Sequence, residues 1–233
     1  MTRPLAELTS PEIAGGTWVL VPVGSIEQHG PHLPLDTDTV IAVAVAQGVA
    51  DALHRPGVLV APPLAYGSSG EHQDFAGTSS IGTDTLQQVI VELVRSLRTW
   101  AGRVVFVNAH GGNLFALQRG VRQLLDEGHE VGWLACATEE VDAHAGFTET
   151  SLMLHLRPES VRLELAVPGN TSPVAELLPA LVAGGVSAVS PNGVLGDPAG
   201  ASAAEGARVL DAMIRDLSGL VVDGVPDERG RLR

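Results

Sequence analysis

The sequence contains no lysine. All 14 of its basic residues are arginine, against 27 acidic ones, for a formal net charge of −13. That absence removes the P-loop lysine, the Schiff-base or pyridoxal-phosphate lysine and the lysine general base. Aromatic residues make up only 3% of the chain. An acidic protein so poor in stacking platforms is not expected to bind nucleic acid. The single cysteine, Cys136, has no internal disulfide partner and lies in the apolar run Val131–Ala137, so a buried core thiol is expected. The start of the chain, Met1 to Glu7, lacks the apolar core of a signal peptide. The uncharged stretch Leu177–Gly196 is broken by Pro179, Gly184, Gly185 and Pro191, and reads as a helix followed by a loop rather than a membrane span. A cytoplasmic protein with no membrane partner is the expectation.

What is present is core-forming. The 233 residues are 45% hydrophobic and 18% charged, enough for one well-buried globular domain spanning 1–233, with a frayed tail over 223–233. Apolar, β-branched runs at Trp18–Val23, Val58–Ala61, Arg103–Val107 and Glu130–Ala135 read as strands, mostly continuous rather than alternating, as in a parallel sheet buried on both faces. Helical patterns fall at Thr39–Leu53, Thr85–Trp100, Leu114–Leu125 and Ala201–Leu217. Strands alternating with helices predict an α/β layered sandwich with a mostly parallel central sheet.

In such folds ligands bind beyond the carboxyl ends of the strands. The four segments that follow the predicted strands hold five of the eight histidines: His29, His32, His72, His110 and His144. His54, His129 and His155 lie elsewhere. Glu27 and His29, two residues apart, point to one side of an extended chain and so can reach one ion. Asp38 stands where the next helix begins, a position that favours a carboxylate, and one that can bridge two cations. His110 leaves the third strand with Gly111 and Gly112 giving the backbone room to turn. His and carboxylate ligands without thiolates suit Zn, Mn or Fe rather than a structural zinc site. Glu27, Asp38 and Glu149 together carry a charge that two divalent ions and one bridging hydroxide would neutralise. A lone loop histidine is usually a surface residue or a cap; the convergence of four loops is what points to metal. His32 and Pro34 fit a turn-ordering role, while Glu71 and His72 fit either a pocket wall or a structural network. No serine-hydrolase elbow and no H-E-x-x-H helix is present. His144 is the candidate proton carrier, Glu149 its orienting partner or a ligand, and Asn108 and Asn113 the residues that fix the His110 loop.

These segments resemble the creatininase (creatinine amidohydrolase) family: Glu27-Gln-His29-Gly-Pro-His32-Leu-Pro-Leu35 with Asp38, Asn108-Ala-His110-Gly-Gly-Asn113, and His144-Ala-Gly with Glu149-Thr-Ser. Tyr66-Gly67, Glu71-His72, Phe75, Gly77-Thr78 and Gly196-Asp197-Pro198 extend the likeness over roughly residues 15–217. The resemblance implies a creatininase-like α/β fold, a metal-dependent amidohydrolase with one or two divalent ions (Zn, Fe or Mn), and a homo-oligomer. It places Glu27, Asp38 and His110 on one metal and His29 and Asp38 on the second. Creatininase itself supplies a glutamate to the second metal where this chain has Gly112, which leaves Glu149 as a substitute ligand or the second site weak or empty. The stretch Thr138–Phe147 also lacks the tryptophans that close the creatininase pocket, which argues against creatinine as substrate. The compact length and Arg-only composition look more like the mycofactocin branch, whose peptidase trims a modified C-terminal Val-Tyr unit from a ribosomal precursor peptide. Formamide deformylases of the same family are the competing likeness, and a non-catalytic binding module is the rival from another class.

Overall fold

The protein, analysed as a computed structural model, is described for residues 2–137 and 142–233; residues 138–141 of the tryptophan-free stretch lie outside the described residues. Strands β1 (Thr17–Val23), β2 (Val58–Val60), β3 (Ala101–Asn108) and β4 (Val131–Ala135) form one parallel sheet in the order β2-β1-β3-β4. The helices are α1 (Thr37–Ala52), α2 (Thr83–Leu97), α3 (Leu114–Asp126), α4 (Phe147–Leu156), α5 (Val174–Gly184) and α6 (Ala203–Asp223).

Alternation along each strand explains why the runs read as continuous. Val19, Val21 and Val23 of β1, with Val104 and Phe106 of β3, pack against Ile90 and Val94 of α2 and Leu117 and Val121 of α3. Leu20, Val105 and Val107 face the opposite layer, where Val45 and Val49 of α1, Leu152 of α4 and Met213 and Leu217 of α6 meet them. Both faces of the sheet are covered, so side chains of either parity must be apolar. The result is the layered α/β sandwich expected.

The structure departs from expectation in three places. The sequence reads 142–151 as the loop after the fourth strand, but helix α4 starts inside it at Phe147, with Thr148, Thr150, Ser151, Leu152 and Met153 all buried. Helix α1 begins at Thr37, which puts Asp38 in its first turn. The tail is packed rather than frayed. Trp133 and Leu232 exchange backbone hydrogen bonds with the tail and β4 (Trp133 N to Gly230 O and Leu232 N to Trp133 O, both 3.0 Å), and Leu232 is buried. The tail satisfies the open edge of β4, and Gly132 leaves the room that the Leu232 side chain fills: a Cβ there would lie 2.5 Å from Leu232 Cδ2. No helix among the described residues is long and apolar enough to cross a membrane.

Candidate metal centre

The segments after β1, β2 and β3 and the turn before α4 converge on one buried cluster. Glu27 and His29 are fully buried, and Asp38, His72, His110 and His144 nearly so. Asp38 stands between two histidines: its Oδ1 lies 3.2 Å from His29 Nε2 and its Oδ2 3.3 Å from His110 Nδ1, while Ser25 Oγ donates to Oδ2 at 2.6 Å. Glu27 faces His110 Nε2 and His72 Nε2 at 3.2 and 3.3 Å.

Two features test whether these residues suit a cation. Both carboxylate oxygens of Glu27 are buried, yet neither makes an aligned hydrogen bond among the described residues. Such orphaned acceptors are costly unless something else meets them. Second, three histidines each give one ring nitrogen to a backbone carbonyl: His29 Nδ1 to Glu27 O (3.1 Å), His110 Nε2 to Ser68 O (3.1 Å) and His144 Nε2 to Gln28 O (2.8 Å). A carbonyl only accepts, which puts the N–H of His29 and His110 on that nitrogen and leaves the other one free to ligate, the usual tether of a metal-binding histidine, while the shorter contact to Gln28 O holds His144 with its Nδ1 free for a proton. His72 differs. Its Nδ1 accepts from Gln28 Nε2 at 2.8 Å, which leaves its Nε2–H toward Glu27. The donor set fits a divalent metal.

Ligand atoms fall into three groups of short mutual distance: Glu27/Asp38/His110, His29/His144/Glu149 and Glu27/His72/His144. The spacing argument put Glu27 and His29 on one ion; in the structure they enter separate groups, with Asp38 between them. Glu149, in the first turn of α4, reaches His29 Nε2 at 3.9 Å and accepts from Ala145 N at 2.6 Å.

Without metal, the cluster pairs opposite charges. Burial opposes ionisation of Glu27, but the His110 charge outweighs it and holds the carboxyl at about 2. Burial opposes His29 too, and Asp38 overcomes it, raising the imidazole to about 10. For His144, burial and then the neighbouring His29 and His72 all disfavour a charge, so it stays neutral. Burial lifts Glu149 to about 7.

The supporting network was partly foreseen. Asn113 Nδ2 donates to Gly24 O (2.9 Å) and to Asn108 Oδ1 (3.1 Å), and Asn108 Nδ2 donates to His110 O (2.7 Å), which ties the His110 turn to β1. His32 binds Thr150 Oγ1 at 2.9 Å, outside the ligand groups, in keeping with a turn-ordering role. Gly112 lies where a Cβ would collide with Ser68 O, Glu71 Oε1 and His110 Nε2, so glycine is needed for close approach rather than for a sharp turn. Gln28 was missed. Its Nε2 serves His72 and Gly193 O (3.0 Å), and Oε1 accepts from Gly30 N (2.9 Å). The signal was its place between Glu27 and His29 in the same motif.

The cluster opens to solvent through a cleft of about 660 Å³, lined on one side by Glu71, His72, His110 and His144 and on the other by α5. Fold and site together define the class: an α/β protein with a buried histidine–carboxylate centre able to bind divalent metal. The creatininase (creatinine amidohydrolase) profile matches residues 6–221. A mycofactocin precursor peptide peptidase of Mycobacterium ulcerans is 54% identical over 93% of this chain and 90% of its own length. A creatinine amidohydrolase of Pseudomonas putida is 31% identical over 71% and 75%. A solved manganese creatininase superposes with a TM-score of 0.78 at 27% identity, covering 95% of this chain and 98% of that one, and a zinc–zinc type of a creatininase variant gives 0.75 at 26%, covering 95% and 97%. The chain belongs to the creatininase family, and is a hydrolase.

Proposed function

We propose that this protein is a cytoplasmic, single-domain, metal-dependent peptidase, working as a homo-oligomer, that releases the modified C-terminal Val-Tyr unit from a mycofactocin precursor peptide. The observation that carries the reading is the cleft of about 660 Å³, whose apolar wall gives room for the side chains of a peptide terminus. The 54% identity to a peptidase of that name points the same way.

In this reading Glu27, Asp38 and His110 hold one divalent ion, and His29 and Asp38, with Glu149, hold a second when one binds. Zn, Fe and Mn all suit such donors. A bound cation supplies Lewis acidity, polarising the amide carbonyl and acidifying water. The chain's own residues do the rest. Asp38, fixed by Ser25, sets the spacing of His29 and His110. His144, neutral and tethered through Nε2, has Nδ1 free to take a proton and pass it to the leaving nitrogen. Glu149 holds Ala145, whose φ of 52° turns the chain just after His144, and so orients that imidazole.

Mass-spectrometric analysis of products tests the substrate. Metal-loaded protein incubated with the modified precursor peptide, a formamide and creatinine is expected to release a C-terminal fragment from the peptide. Turnover of creatinine or the formamide alone would overturn the peptide reading and keep the hydrolase.

A further inference from the structure

Helix α5 stands out in this fold because none of its residues is buried. Its sequence, VAELLPALVAG, carries one charge, Glu176, and its neighbours in space are chiefly the turns Gly70–His72 and Val186–Ala188. Val174, Leu178 and Val182, one helical turn apart on one face, are 43%, 53% and 80% exposed. Pro179 inside the helix removes a backbone N–H from its ladder. Helical propensity and core packing therefore contribute little reason for so apolar a segment. Solvent exposure of three large aliphatic residues in one stripe is a feature of binding surfaces.

Position supplies the reason. Val174, Leu178, Leu181 and Val182 line the same cleft as His72, His110 and His144, with Leu114 and Leu195 extending the apolar wall. Among the described residues no arginine lines it, and the carboxylate of Glu71 stands beside the histidines. A wall without a cation, facing a carboxylate, gives an acidic substrate group no partner and rewards an uncharged apolar one.

We propose that the α5 face is a specificity subsite, which receives a bulky, uncharged aliphatic or aromatic side chain next to the scissile amide. Leu178 and Val182 are its accessible determinants. The amide is held at the histidine cluster while the side chain lies along α5, removing apolar surface of both partners from water. This rests on the peptidase reading, so the experiment separates the two.

The variant is Leu178→Ser/Val182→Ser, at exposed positions where the fold has little to lose; a melting curve and metal content matching the unaltered protein establish that. The first readout is the ratio of kcat/KM for the modified precursor peptide over an otherwise identical peptide ending in Gly-Ser. Loss of apolar contact of this kind is worth about 10-fold or more, so the ratio is expected to fall at least tenfold. An unaltered ratio would overturn the subsite. The second readout is calorimetric binding of N-acetylphenylalaninamide against N-acetylglycinamide. Preferential loss of the aromatic amide supports the subsite even if the unaltered protein cleaves neither peptide, an outcome that would sink the peptidase reading alone. A changed mass in light scattering with an unaltered ratio would make α5 a contact between copies of the chain, and overturn the proposal.

Discussion

The two walls of the cleft are built on opposite principles. On one side, His110 lines the cleft, and with it Glu27, His29 and Asp38 are buried almost completely, on segments held by Asn108, Asn113, Ser25 and Gln28. On the other, no residue of α5 is fully buried, and its packing is chiefly against two short turns. The chemistry sits where small displacements are resisted from every direction, which a centre of fixed ligand geometry requires. The proposed contacts with substrate sit where a side chain can change without disturbing the core. The contrast predicts that reaction type and selectivity are separable in this fold, so that substitutions on the two sides behave differently.

The largest effect belongs to Asp38→Ala. It removes the carboxylate between the two histidines, so bound metal, measured by elemental analysis, is lost and turnover falls by roughly 10³ or more. His144→Ala is the next step down: metal content is retained while turnover drops by about 10²–10⁴. Full activity in that variant would remove His144 from the mechanism. A glycine pair gives a finer cut. Gly112→Ala drives a Cβ against Ser68 O and the His110 ring, whereas a Cβ at Gly111 meets nothing within 4 Å. Metal affinity should weaken by roughly 10–100-fold in the first variant and stay put in the second. At the small end, Val182→Ser on α5 should alter stability by no more than about 0.5 kcal/mol, read by denaturant unfolding.

Proton linkage sharpens the rigid side of the comparison. In the metal-free protein the His29 imidazole, raised against burial by Asp38, has a folded pKa of about 10 against 6.5 for the free side chain. While Asp38 is ionised, the His29–Asp38 pair therefore stabilises the metal-free fold fully below pH 6.5, and its contribution fades as pH climbs toward 10. A cation must displace that proton. Metal uptake should release protons and tighten as pH rises through the same window, measurable by calorimetry in buffers of different ionisation enthalpy.

Much of this was legible in the chain. The strands declared themselves because the sheet is covered on both faces, and α2 and α3 because each has one apolar side, Ile90 and Val94 or Leu117 and Val121, against solvent on the other. Helix α4 was hidden because it buries polar residues, Thr148, Thr150 and Ser151, which erases the apolar period. The packed tail depends on a match between Leu232 and Gly132, a hundred residues apart along the chain, which no local pattern carries. In the site, Glu27, His29, Asp38, His110, His144 and Glu149 all reach the cluster, but which donors group together depends on how the separate segments meet in the fold. Gln28 escaped notice because a neutral amide betrays no chemistry until its hydrogen bonds are seen. The apolar stripe of α5 was recognisable as a helix, and only the fold set it across from the histidines.

The most direct test of the central claim is the rate of C-terminal fragment release from the modified precursor peptide, followed by mass spectrometry before chelation, after it, and after Zn or Mn is restored. Release that stops on chelation and returns with the metal is the expected result. Undiminished release by fully metal-free protein would contradict the assignment of the buried cluster as a hydrolytic metal centre.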